Sequence, residues 1–206
     1  MGLNVSGKEG GSYTPAPAGN HLGVCVRVLD LGTQTGGQYG PKRKVMISWE
    51  LSEERIAYVD KDGNPQEGPY IVSKKYNLTL GGKEKPSMLR TDLESWRGKA
   101  FTPEEEKAFD LSNLLGAPAL ISVVHELGSN GNTYANIKGV AKLSKGMKPP
   151  TPEGKTLFFS FDDWDGHEAP QVHPKLLDLL QQTPEWHQKA NLAGAGNGGT
   201  DEDIPF

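Results

Sequence analysis

Apolar and polar residues alternate with a period of two in several stretches of this chain, and between the third and fourth stretches the period lengthens to that of a helix. His21 to Leu31 sets Leu22, Val24, Val26 and Val28 on one face and Arg27 on the other. Lys42 to Leu51 alternates Val45, Ile47, Trp49 and Leu51 with Lys44, Met46 and Ser48. Tyr70 to Leu80 places Val72, Tyr76, Leu78 and Leu80 opposite Ser73, Lys75 and Asn77. Lys74 interrupts that apolar face, which predicts a bulge or a strand that starts outside the core. Met88, Leu89, Leu93 and Trp96 then recur at helical spacing, with Pro86 near the start and Gly98 just past the end. Thr102-Pro103-Glu104-Glu105 reads as a capping box opening a second short helix that carries Phe109, Leu111, Leu114 and Leu115 up to Gly116. Ala117 to Leu127 is an apolar strand and Gly128 to Asn132 a hairpin loop. Thr133 to Leu143 sets Ala135, Ile137, Ala141 and Leu143 against Tyr134, Asn136, Lys138 and Lys142.

Three strands, a helical insert and two more strands is the order of the OB-fold, a five-stranded Greek-key barrel. The expectation for residues 21–148 is therefore a mainly β, OB-fold-like five-stranded barrel with a helical insert between strands three and four. An open α+β sheet with the same elements is the alternative that periodicity leaves standing. Residues 1–20, rich in Gly, Ser, Pro and Ala, read as a flexible arm. After the proline-rich linker Lys148-Pro149-Pro150-Thr151-Pro152, residues 149–192 form an acidic extension. It contains one added strand over Leu157–Phe161 and an amphipathic helix over Pro174–Gln182, followed by Trp186. Too short to fold alone, this extension is expected to pack on the barrel, with Trp164 and Trp186 as its pins. Residues 193–206 read as a disordered spacer and tip.

Composition adds exclusions. The single cysteine, Cys25, rules out an internal disulfide and a cysteine cluster for zinc. No apolar run approaches the ~18 residues of a membrane span, and no signal peptide precedes the first strand. Met1-Gly2-Leu3-Asn4-Val5-Ser6 fits a loose myristoylation pattern but has no polybasic companion. The expected setting is the cytoplasm. The net charge of −4 conceals a split: residues 1–152 hold 19 Lys and Arg against 16 Asp and Glu, whereas residues 153–206 hold 3 Lys against 10 Asp and Glu. The barrel is thus basic (+3) and the remainder acidic (−7).

A barrel that holds single strands needs cations along the phosphates and flat side chains for bases. The outward faces and loops supply Arg27, Tyr39, Lys42, Arg43, Lys44, Lys74, Lys75, Tyr76, Tyr134, Lys138 and Lys142 as candidates. Trp49 and Trp96 lie on apolar stripes and belong to the core. Catalytic motifs are lacking: there is no phosphate loop and no His-Glu-x-x-His. Asp162, Asp163, Asp165, His167, Glu168 and His173 are close enough in sequence to raise metal binding, but Asp163-Trp164-Asp165-Gly166 lacks the spacing of a calcium loop. No cofactor or metal is expected.

The terminus carries more specific chemistry. A Gly-rich spacer leads to Asp201-Glu202-Asp203-Ile204-Pro205-Phe206. Ile204 and Phe206 suit an apolar pocket, Pro205 limits the conformations lost on binding, and the carboxylates suit a basic rim. These six residues are similar to the acidic C-terminal tip of bacterial and bacteriophage single-stranded DNA-binding proteins. The resemblance covers the tip and spacer; elsewhere it extends only to element order. It implies an OB-fold that coats single-stranded DNA with little sequence preference. It also implies a tip that recruits replication, recombination and repair proteins, and it points to a divergent phage-type member, in the cytoplasm of a bacterial or phage-infected cell, with homo-oligomers as a family habit. No bond is made or broken in that reading. The rival readings are an interaction protein that carries the tip without binding DNA, and a metal-dependent nuclease centred on Asp162–His173. The acidic extension raises one more, that it lies over the basic face until DNA displaces it.

Overall fold

The computed structural model describes residues 14–36, 38, 40–60 and 62–195, and the side chains up to Ala193. Strands β1 (Gly19–Gln34), β2 (Lys42–Val59), β3 (Pro65–Asn77), β4 (Pro118–Leu127) and β5 (Thr133–Ala141) form a sheet in the order β3-β2-β1-β4-β5. Long β1 makes this possible. Its start pairs antiparallel with β4, from Gly19↔Val123 to Val24↔Pro118, while from Gly23↔Leu51 down to Gln34↔Lys42 it pairs with β2 on the other edge. The sheet curls so that β3 and β5, the ends of that order, approach each other without a ladder among the described residues. This is the OB-like barrel, mainly β, with its helices inserted between β3 and β4.

Helix α1 (Met88–Arg97) stands at the gap, touching both β3 and β5. Ser87 caps its start by accepting the Arg90 N–H, and Gly98 ends it at φ 68°, a left-handed turn that costs glycine nothing. Leu89, Leu93 and Trp96 point inward, and the Trp96 ring lies 5.5 Å from Trp49 in the barrel core. The Trp96 Nε1–H donates to the Pro118 carbonyl at 2.7 Å, which satisfies a polar atom that burial would otherwise leave costly. Helix α2 (Pro103–Lys107) has both halves of its capping box but stops at Ala108. Leu111–Leu114 is a separate 3₁₀ turn capped by Asp110, so Phe109 to Leu115 are not one helix with it.

Two faces of β1 are buried, for different reasons. A β-bulge between Cys25 and Arg27 shifts the alternation, so Cys25 and Val28 share the barrel core and the expected face Val24, Val26, Val28 is broken. On the other face, Leu29 and Leu31 join Phe159, Phe161, Trp164 and Leu180 in a second apolar cluster. The extension therefore shares a core with the barrel. Its strand β6 (Leu157–Phe159) pairs in parallel with Arg27–Leu29, along the edge of β1 that β4 has left. Helices α3 (Pro174–Gln181) and α4 (Pro184–Ala195) follow, and the Glu185 carboxylate of α4 accepts both the Thr33 N–H (2.9 Å) and hydroxyl (2.5 Å). Helix α4 reaches Ala195, three residues into the stretch read as spacer.

Other differences are local. Ala16 is buried and its carbonyl accepts from His125 Nε2 at 2.8 Å, while His21 Nε2 donates to Pro17. The end of the arm is thus pinned. Strand β2 runs on to Val59 and pairs with Pro65–Pro69, making an exposed β-ribbon beyond the barrel. Among the described residues no helix is long and apolar enough to cross a membrane.

Candidate nucleic-acid interface

Alternation along β2 sends Val45, Ile47, Trp49 and Leu51 inward and Lys44, Met46 and Ser48 outward. The ladder then decides which outward residues are neighbours. Lys44 lies opposite Asn77, Met46 opposite Lys75, and Ser48 opposite both Ser73 and Arg27. Arg27, Lys44 and Lys75 therefore come from three adjacent strands onto the outer face of the sheet, the same face on which the extension packs over Leu29, Leu31 and Met46 and on which Ser48 is fully buried. Lys75 is exposed, the other two half-buried, and none of them makes an ion pair with a described residue. The Ser73 and Ser48 hydroxyls bond across this surface at 2.8 Å. Its border is set by the linker, whose Glu153 N–H donates to buried Glu50 at 2.8 Å.

Tyr134 stands at the foot of the β4–β5 hairpin and is 40% exposed. Its hydroxyl accepts the Asn130 side-chain N–H at 2.8 Å. Gly128 lies under the ring: a Cβ there would come within 2.6 Å of Tyr134 Cε2, so a glycine is required for the ring to rest on the loop. Lys42 is exposed at the start of β2. Tyr39 and the tip Asp201–Phe206 lie outside the described residues.

Four candidates are directed elsewhere. Lys74 does not cause a bulge; its ammonium reaches Asp92 of α1 at 2.6 Å, with both side chains 13% exposed. Tyr76 is a core residue whose hydroxyl donates to the same Asp92 at 2.8 Å, and burial, then the Asp92 charge, pushes its pKa up. Neither is available to a strand of nucleic acid. Arg43 turns to the end of the barrel, held by Asp30 and, at 2.9 Å, by Asp162, and the Asp30 hydrogen bond raises its pKa. The Lys142 stem lies across Gly98 at the C-terminal end of α1, a place that favours a cation through the helix carbonyls. Lys138 pairs with Glu126 at 2.5 Å, but both are well exposed, and such a pair is weak enough to be exchanged.

Two residues join the set that periodicity did not single out. Tyr58, 51% exposed on the β2–β3 ribbon, lies beyond the last strongly alternating position, so no pattern pointed to it. Lys155 lines a cleft with Arg27 beside β6, and a lone lysine in a Pro- and Gly-rich linker carries no signal of its own.

No three of the acidic and histidine residues from Asp162 to His173 gather into a metal site among the described residues. Asp162 holds Arg43, Asp165 accepts the His167 N–H, and His173 caps α3 through Lys175 N–H. Burial pushes the Cys25 thiol up to about 12, so it is no nucleophile. No family model, curated protein or solved structure matches the chain.

Proposed function

We propose that the chain binds single-stranded DNA with little sequence preference on the outer surface of β1, β2 and β3, and recruits replication, recombination and repair proteins through Asp201–Phe206. The observation that carries the reading is the joining of Arg27, Lys44 and Lys75 across three strands of an OB-like barrel, without ion pairs to described residues. The β2–β3 face and the loop between strands four and five are where barrels of this class take oligonucleotides. Tyr134 and Tyr58 are exposed rings on which any base can stack. The tip keeps the role that its resemblance implies.

The test is a fluorescence titration with labelled oligo-dT at two salt concentrations. Log K falls with log salt by about 0.7 per phosphate contact on a single strand. Replacing Arg27, Lys44 and Lys75 together by Gln is expected to reduce that slope by about 2 and to weaken binding at low salt. Unchanged affinity and slope would remove this surface from the reading. Deleting Asp201–Phe206 is expected to leave oligo-dT affinity equal or tighter while abolishing capture of partner enzymes.

A further inference from the structure

Next to Arg27 on β1, Val28 points the opposite way, into the end of the barrel. There Val28 and Val45 floor a cleft of about 390 Å³, walled by Leu78, Phe109, Leu111 and Phe158. Phe158 is 37% exposed and adds its ring to this apolar wall. A second cleft continues from the first, sharing Leu78, Phe109 and Leu111. The rim holds Asp30, Asp110, Asp162 and Asp163 against Arg43. Asp30 and Asp162 already engage that one guanidinium. Asp110 and Asp163 have no cationic partner among the described residues. Hydrogen bonds from Ser112 hold Asp110 below the usual carboxylate range, so it stays charged.

We propose that this cleft docks a cationic peptide segment of a partner protein, with apolar side chains anchored between Phe158 and Phe109 and Lys or Arg paired with Asp110 and Asp163. Charge complementarity selects the occupant. An acidic rim repels phosphates and repels an acidic tip from another copy, while a basic, apolar-anchored segment gains from both floor and rim. Arg27 and Val28 face opposite sides of β1, so the cleft opens away from the cationic surface, with Phe158 and Phe159 bordering both. The inference does not depend on DNA binding.

The intact chain would be titrated by fluorescence anisotropy with a labelled twelve-residue peptide of Leu, Phe, Lys and Ser. Two controls replace Lys by Glu, or Leu and Phe by Ser. The Lys peptide is expected to bind at least tenfold more tightly than either control. Asp110→Asn with Asp163→Asn is expected to weaken it about fivefold, and Phe158→Ser about as much, with melting temperatures recorded to show that the variants fold. Saturating oligo-dT is expected to leave the peptide bound. No binding at millimolar peptide, equal binding of all three peptides, indifference to both variants, or displacement by oligo-dT would each overturn the cleft. Loss of oligo-dT binding with peptide binding intact would instead overturn only the DNA reading.

Discussion

Asp92 decides the fate of two candidate ligands of DNA. It accepts from the Lys74 ammonium and the Tyr76 hydroxyl, at 2.6 and 2.8 Å, where both charged side chains are nearly excluded from water. Asp92→Ala would leave an ammonium and a hydroxyl without their partner. Removing one member of a buried pair costs about 3 kcal/mol, whereas Tyr76→Phe, which removes one hydrogen bond, costs about 1 kcal/mol. Chemical denaturation should show that order, and the folded Asp92→Ala protein should hold oligo-dT within about twofold of the parent. A stable Asp92→Ala variant with altered DNA affinity would return Lys74 to the interface. Lys74 looked exposed because a strand pattern cannot reveal that a helix residue 18 positions later supplies its counter-ion.

At the scale of elements, what could be read depended on whether the signal was local. The capping box is local: Thr102 accepts the Glu105 N–H and Glu105 accepts the Thr102 N–H. So are the stop of α1 at Gly98 and the inward face of β2. The bulge in β1 was not legible, because Leu29 and Leu31 are apolar for the sake of Phe159 and Phe161, some 130 residues away. The ribbon past Leu51 was hidden by Ser52-Glu53-Glu54, poor strand formers that here begin a register shift. Helix α4 has no clear apolar stripe, and contacts such as Glu185 to Thr33 hold it. Of the site, Arg27, Lys44 and Lys75 followed from alternation; Lys155 and the acidic cleft arise only when distant segments meet. Glu105 also sets a pH response, through Arg97 first and the capping box second. Hydrogen bonds from Arg97, then from Thr102 and Lys99, lower the Glu105 pKa to about 2 from an ordinary 4.5. A lowered carboxylate pKa means that the folded state binds fewer protons, so the stabilisation is complete above about pH 4.5 and is lost as pH falls toward 2. Glu105→Gln should therefore melt below the parent at pH 7, and the gap should narrow between pH 4.5 and 2.5. A gap that stays constant with pH would mean that the charge of Glu105 contributes nothing to stability.

For the whole molecule, the question is whether the acidic extension is a removable cover or part of the fold. Two of its carboxylates meet barrel arginines, Asp162 with Arg43 and Glu153 with Arg55, but none meets Arg27, Lys44 or Lys75. Its apolar contacts are more decisive. Leu29 and Leu31 are almost completely buried, Met46 packs beside them, and β6 completes an edge of β1. Cutting the chain after Pro152 would expose these three side chains and unpair that edge. At about 2 kcal/mol for each buried side chain, the loss is on the order of 5 kcal/mol, a large part of a typical domain's stability. The truncated protein should therefore melt far below the parent or aggregate, and a change in its DNA affinity would not by itself report displacement of a cover. Removing Asp201–Phe206 alone should leave the melting temperature unchanged. If the chain cut after Pro152 instead folds with the parent's stability and binds oligo-dT more tightly, the extension is a cover, and DNA competes with it for the barrel.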